Sequence, residues 1–136
     1  NIAKTIKIVF PIHPRTKNQL ALLENSISDK IILSEPLPYL KFLGLMAKAR
    51  IVITDSGGIQ EETTFLGKQC ITLRENTERP ITVELGTNFL VGTNTNNVLE
   101  KVNQILKGEQ KRGSIPSKWD GNSGIRIAKI IKEYLS

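Results

Sequence analysis

The stretch "VITDSGGIQEETTFLG", residues 52–67, joins an apolar, β-branched run to a segment rich in helix-favouring residues. An Asp, a Ser and two glycines stand between the two halves. The first half predicts a buried strand, and the second predicts a helix that ends at Gly67, because glycine commonly terminates helices. A strand that runs directly into a helix is the repeating unit of a parallel α/β sheet.

The same alternation recurs along the whole chain. Short apolar runs predict strands at residues 6–10, 30–34, 50–54, 70–73 and 88–92. Apolar residues at helical spacing predict helices within residues 17–27, 39–49, 59–66 and 78–85, around Val98, Val102 and Ile105, and from Ile127 to the chain end. We therefore expect an α/β fold with a doubly wound, Rossmann-like parallel sheet, strands buried on both sides and helices on both faces. No element is expected before the first strand, which suggests the second half of a longer protein.

Composition narrows the class of protein. With 136 residues, 39% hydrophobic and 24% charged, the chain fits one packed domain. Its charge of +6, from 19 basic and 13 acidic residues, favours anionic partners. The basic residues are scattered and aromatic residues make up only 5%, which argues against nucleic-acid binding. Because no apolar run is long enough to span a bilayer, no membrane association is expected.

The single cysteine, Cys70, excludes an internal disulfide. The opening residues do not resemble a signal peptide, because their apolar run ends at Pro11 without a small-residue cleavage site. Both observations predict a cytoplasmic location. One His and one Cys do not make a typical zinc site, so no metal is expected.

The turn after the strand predicted at residues 50–54 can hold an anion. The first turn of a helix has unpaired N–H groups and partial positive charge, and Gly57 and Gly58 leave that backbone open to a phosphate. Ser56 can add a hydroxyl donor, and Glu62, one turn further, can accept hydrogen bonds from the vicinal hydroxyls of a ribose. Alternatively, Asp55 and Ser56 cap the helix and the glycines serve only a tight turn. Local physics leaves both interpretations open, and the glycine spacing fits neither a P-loop nor the dinucleotide-binding pattern.

Longer motifs around this turn carry a resemblance to a known family. "TDSGGIQEE", "LGKQCITLRENTERP" and "GTNFLVGTN", with "FPIHPRTKNQL", "EPLPYLKFLGLMAKARIVITDSGG" and "WDGNSGIRIAKII", resemble the non-hydrolysing UDP-N-acetylglucosamine 2-epimerases. The resemblance covers almost the whole chain. It implies that residues 1–136 form one UDP-binding domain, similar to the carboxyl-terminal domain of the glycosyltransferase-B fold, and that the amino-terminal domain of a two-domain enzyme lies outside this sequence.

The resemblance also implies roles for individual residues. Residues 56–58 would hold the diphosphate of UDP, and Glu62 would bind the ribose hydroxyls. Phe42 would lie beside the uracil, and Arg79 would be a cationic partner of the diphosphate.

Three residues have alternative roles that the sequence leaves open. Phe42 stands at helical spacing, where an aromatic ring is typical of a core. Arg79 can pair with Glu75 or Glu78 instead of a ligand. His13, between two prolines at a strand end, can donate to phosphate or relay a proton, or it can simply bond backbone; it is the only catalytic candidate in this chain.

The family interconverts UDP-N-acetylglucosamine and UDP-N-acetylmannosamine by eliminating UDP and adding it back, which implies that the parent protein is an isomerase of polysaccharide biosynthesis without metal or redox cofactor. Its acidic catalytic residues belong to the amino-terminal domain, so this chain is expected to bind UDP weakly and to be inactive alone. The expected partners are UDP or UDP-N-acetylglucosamine, the missing domain and a second copy of the full-length protein. Alternatives are a hydrolysing epimerase, a glycosyltransferase of the same fold, or a non-catalytic anion-binding or interaction domain.

Overall fold

The computed structural model describes residues 1–13, 16, 20 and 28–135. Helices in this described part are α1 (Ile2–Thr5), α2 (Tyr39–Lys48), α3 (Gly57–Phe65), α4 (Pro80–Glu84), α5 (Thr95–Leu106) and α6 (Ser123–Leu135). The strands are β1 (Ile8–Pro11), β2 (Ile31–Ser34), β3 (Ile51–Thr54), β4 (Gln69–Thr72) and β5 (Asn88–Leu90). All five predicted strands are confirmed, as are the five predicted helices from α2 onward. The helix predicted within residues 17–27 lies almost wholly outside the described residues.

All the strand pairs are parallel, as an α/β fold requires. β1 pairs with β2, while β3, β4 and β5 form a three-stranded sheet in that order. In the register of the larger sheet, Ile53 lies opposite Ile71, and Ile71 lies opposite Phe89. The predicted parallel architecture is confirmed, although the described strands pair in two sheets rather than one.

Helices cover both faces of the three-stranded sheet. Ile71 of β4 packs with Val102 and Ile105 of α5, and each of these side chains is at most 2% exposed. Because side chains alternate along a strand, Cys70 and Thr72 point to the opposite face, where α3 packs. Burial raises the pKa of the Cys70 thiol, although hydrogen bonding with Thr63 and Thr72 opposes this rise. Cys70 therefore fills the core as a small buried side chain.

Two expectations about burial and order are wrong. Burial on both sides applies fully to β4, but Phe10 of β1 and Ile32 of β2 are exposed, because none of the described helices packs closely on these two strands. An element also precedes the first strand: the single turn of α1 buries Ala3 and packs Ile2 against the α5–β4 core. Tertiary contacts fix α1, which is too short to carry a helical pattern of its own.

The last helix forms where its apolar spacing predicts it, yet α6 buries none of its residues. Ile130 and Leu135, for example, are 64% and 78% exposed. An ion pair holds its first turn: the Arg126 guanidinium donates to both Asp120 carboxylate oxygens at 2.9 and 3.0 Å. This bonding keeps the pKa of the Asp120 carboxyl well below its usual range.

None of the helices in the described ranges is long and apolar enough to cross a membrane. The cytoplasmic location stays a prediction.

Candidate ligand site at the carboxyl end of β3

The site begins where β3 ends and α3 starts. Ser56 occupies the N-cap position with extended backbone (φ −86°, ψ 130°), and its amide donates to Thr54 Oγ1 at 3.0 Å. The Ser56 side chain makes no capping hydrogen bond to the helix. Ser56 therefore stands at the predicted cap position, but its hydroxyl does not satisfy the first-turn amides of α3.

The two glycines of this turn are not required by the conformation of the chain. Neither Gly57 nor Gly58 has the left-handed backbone that favours glycine. Gly67, two residues past the end of α3, does have it, with φ 64°. A Cβ added at Gly58 would meet no described atom within 4 Å, and one at Gly57 would meet only Arg79 Cγ, at 4.0 Å. The tight-turn interpretation therefore does not explain these two glycines, and the backbone at the start of α3 is open.

Arg79 lies beside this open turn. It occupies the N-cap position of α4, and its Nε is 3.1 Å from Glu61 Oε1, with both side chains about two-fifths exposed. The ionic partner is thus Glu61, and the expected alternatives, Glu75 and Glu78, are wrong as partners. Because Glu61 stands on α3, the ion pair holds the guanidinium near the helix whose start carries Gly57.

Glu62, one residue further on α3, contacts α2. The hydrogen bond between the Tyr39 hydroxyl and the Glu62 carboxylate raises the pKa of Tyr39, and the negative charge of Glu62 and partial desolvation add to that rise. A groove between the two helices is lined by residues of α2, of α3 with its C-cap, and of the loop before α6: Tyr39, Leu43, Glu61, Glu62, Phe65, Leu66 and Trp119. The predicted ribose-binding carboxylate therefore sits in a groove with an aromatic wall.

Phe42 and His13 lie apart from these contacts. Phe42 is half-buried on α2, one turn beyond Tyr39, and does not line the groove. His13 follows β1, is exposed, and its carbonyl accepts a hydrogen bond from the Thr16 amide at 2.8 Å. Because β1 belongs to the two-stranded sheet, His13 and the β3 turn stand on different sheets. The roles predicted for both residues stay predictions.

Sequence reasoning missed two residues of the site, Tyr39 and Glu61. Both had a signal: Tyr39 stands three positions before Phe42 in the same predicted helix, and Glu61 adjoins Glu62. Trp119, on the loop before α6, forms part of the groove wall. Among the described residues, no group of three or more His, Cys, Asp or Glu side chains could hold a metal ion.

The fold places an open helix start at the carboxyl end of a parallel strand, where α/β sheets bind their ligands. This defines the class, an α/β ligand-binding domain. A family model described as UDP-N-acetylglucosamine 2-epimerase matches residues 1–132. The chain belongs to the UDP-N-acetylglucosamine 2-epimerase family.

Individual relatives agree with this assignment. The UDP-N-acetylglucosamine 2-epimerase of Methanococcus maripaludis is 46% identical over 96% of this chain. A crystal structure of the Methanocaldococcus jannaschii UDP-GlcNAc 2-epimerase in complex with UDP-GlcNAc and UDP matches 97% of the chain at 44% identity, with a TM-score of 0.82. The Neisseria meningitidis enzyme bound to UDP-GlcNAc matches 91% at 36% identity and a TM-score of 0.77. The chain spans 37%, 37% and 35% of the length of these three relatives, respectively.

Proposed function

We propose that residues 1–136 form the UDP-binding domain of a protein that interconverts UDP-N-acetylglucosamine and UDP-N-acetylmannosamine. The observation that carries the proposal is the pair of glycines at the start of α3. Alanine would fit at Gly57 and Gly58 without strain or collision, and it would favour the helix by up to about 1 kcal/mol per position. Their presence is explained if a ligand approaches the bare backbone at van der Waals distance.

The charges around the turn support a diphosphate as that ligand. The first-turn amides of α3 and the helix dipole favour negative charge, and the Ser56 hydroxyl is not engaged in capping. The Arg79 side chain lies beside Gly57, with its Cγ 4.0 Å from where a Cβ of that residue would stand, and its guanidinium suits phosphate oxygens through bidentate hydrogen bonding. In this proposal Arg79 exchanges Glu61, an exposed partner of small energetic value, for the diphosphate.

The ribose and the uracil of the nucleotide are assigned to residues further from the turn. Glu62, in the groove beside Tyr39, accepts hydrogen bonds from the ribose hydroxyls, and Phe42 contacts the uracil from α2. Relatives solved with UDP or UDP-GlcNAc bound support this choice of nucleotide.

The chemistry of the whole protein needs two contributions. Departure of UDP leaves negative charge on the diphosphate, which the turn amides and Arg79 stabilise when they are held in place before the reaction. Removal of the C2 proton needs a positioned base. We assign that base to a further, amino-terminal domain, where the family resemblance places the acidic catalytic residues. The proposed whole protein is a homodimer.

An NMR titration with UDP tests the placement of the site in this chain. We expect the amide signals of residues 56–62 to shift, and Arg79→Ala to weaken the shift. Uridine, which lacks the diphosphate, serves as the control ligand and should leave the signals of residues 56–58 unmoved. Shifts confined to other regions at millimolar UDP would place the site elsewhere.

The reaction is tested with the whole protein and UDP-N-acetylglucosamine. An equilibrium mixture with the manno epimer supports the proposal. Free N-acetylmannosamine would instead identify a hydrolysing epimerase, and transfer to an acceptor would identify a glycosyltransferase. Salt-sensitive binding to nucleic acid without preference for UDP would identify a non-catalytic binding domain.

A further inference from the structure

A network of buried polar side chains lies between α3 and the β4–β5 sheet. Asn88 stands at its centre: its Nδ2 donates to Gln60 Oε1 at 3.1 Å and to Thr82 Oγ1 at 3.0 Å, and its Oδ1 accepts from Thr72 Oγ1 at 2.7 Å. All four side chains are fully buried. Apolar side chains usually occupy such positions, because burying polar groups is unfavourable unless each is paired.

The network ends on the backbone of Arg79. The Arg79 amide donates to Thr77 Oγ1 at 3.0 Å, and the Thr77 hydroxyl donates in turn to Gln60 Oε1 at 2.6 Å. The Arg79 carbonyl accepts from Thr82 Oγ1 at 2.7 Å and from the Thr82 amide at 3.0 Å. Both backbone polar groups of Arg79 are therefore held by threonine hydroxyls that connect to the buried amides.

The direction of these hydrogen bonds is fully specified. Each of the two threonine hydroxyls donates once and accepts once, and both Asn88 amide protons are used. Such a chain of bonds has one low-energy arrangement, whereas apolar packing tolerates several.

Stability alone does not explain Gln60. Its Nε2 is buried and has no hydrogen-bond partner among the described residues, and an unpaired buried donor destabilises a fold. An apolar side chain of similar length would avoid this cost. What Gln60 contributes is its oxygen, which accepts from both Thr77 and Asn88.

We propose that Gln60, Thr77, Thr82 and Asn88 are positioning residues that hold the Arg79 backbone so that its guanidinium reaches the phosphate-binding start of α3. This inference rests on the proposed function, in which Arg79 binds the diphosphate. Arg79 ends a loop, and loops are more mobile than the elements they connect. The network restricts this mobility and so keeps the Arg79 side chain next to Gly57.

Thr77→Val tests the proposal, because valine keeps the shape but loses both hydrogen bonds. Dissociation constants for UDP and uridine are measured by NMR titration of the chain. We expect UDP affinity to fall about fivefold to tenfold and uridine affinity to stay unchanged. Thr77→Ser, which keeps the hydroxyl, should bind UDP as tightly as the unchanged chain. Thr87→Val is the matched control: it removes a buried hydroxyl that donates to Lys68 O and is not part of the network.

A double-mutant cycle shows whether Thr77 acts through Arg79. In an Arg79→Ala background, Thr77→Val should cause no further loss of UDP affinity. Additive losses, or an equal loss for UDP and uridine, would overturn the positioning role. If Thr77→Val melts below the titration temperature, Gln60→Met provides the same comparison, since it keeps the length but removes the acceptor.

The proposed function and this inference fail in different ways. If Arg79→Ala leaves UDP affinity unchanged, the phosphate site is misplaced and both are wrong. If Arg79→Ala weakens UDP while Thr77→Val and Gln60→Met do not, only the positioning role is wrong.

Discussion

The three-stranded sheet and the last helix use the same kinds of side chain with opposite results. Ile105 of α5 is fully buried against β4, whereas Ile130 of α6 is 64% exposed. Both residues stand on amphipathic helices, and nothing local distinguishes them. The difference is one of partners: α5 has a sheet face to cover, and α6 buries no residue in the described part of the chain. Helical spacing therefore identifies an apolar face but not what covers it.

The largest expected effect comes from replacing one isoleucine of α5 and one of α6 with alanine. Ile105→Ala should lower the free energy of unfolding by about 2–5 kcal/mol, because it leaves a cavity beside Ile71 and Val102. Ile130→Ala should change it by only about 0.5 kcal/mol. Urea unfolding of the two variants measures this difference. Equal losses would mean that α6 packs on the domain and that the comparison is wrong.

The same contrast between packed and open positions can be tested at two glycines. A Cβ at Gly86 would lie 2.4 Å from Thr64 Oγ1 and 2.5 Å from Thr82 O, so Gly86→Ala should destabilise the domain by about 1–3 kcal/mol. A Cβ at Gly44, inside α2, meets no described atom within 4 Å, so Gly44→Ala should stabilise the helix by about 1 kcal/mol. Thermal unfolding should move the two melting temperatures in opposite directions. A loss at Gly44 would indicate a contact that we have not seen.

Gly58→Ala separates binding from stability at the open start of α3. We expect the melting temperature to stay level or to rise, because the position is helical and has free space. UDP affinity should fall about tenfold, equivalent to about 1.4 kcal/mol, because the methyl group keeps the phosphate from the backbone. NMR titration beside a melting curve makes the test. Unchanged affinity would remove the main support for the phosphate site.

The smallest effect concerns the start of α6. Because the pKa of Asp120 is lower in the folded chain, its ion pair stabilises the helix start fully above the ordinary aspartate pKa, and this contribution disappears as the pH falls through the lowered value. The first-turn amides of α6 should therefore keep their hydrogen-exchange protection from pH 7 to about pH 4.

Asp120→Asn should reduce that protection at pH 7 only slightly, because the pair is exposed and screened. Glu133→Gln, which breaks the looser Lys129–Glu133 pair (3.9 Å), is the control and should leave the first turn unaffected. Complete loss of protection along α6 in Asp120→Asn would mean that the Asp120–Arg126 ion pair, rather than helical propensity, forms the helix.

Much of the fold was predictable because its signals are local. The β-branched runs predict β1 to β5, and the strand-to-helix junction after β3 predicts the turn at Ser56, Gly57 and Gly58. The ion-pair partner of Arg79 was not predictable, since Glu75 and Glu78 are near in sequence while Glu61 is near only after α3 and α4 pack beside each other.

By itself, the sequence determined the order and type of the described elements other than α1 and pointed to the turn, the carboxylate and the arginine of the proposed UDP site. Tertiary structure alone decided that Tyr39 and Glu62 line one groove, that threonine hydroxyls hold the backbone of Arg79, and that α5 is buried while α6 is exposed. The physical reason is range. Periodicity and turn chemistry act between residues a few positions apart, whereas burial and hydrogen-bond partners depend on segments brought together by folding.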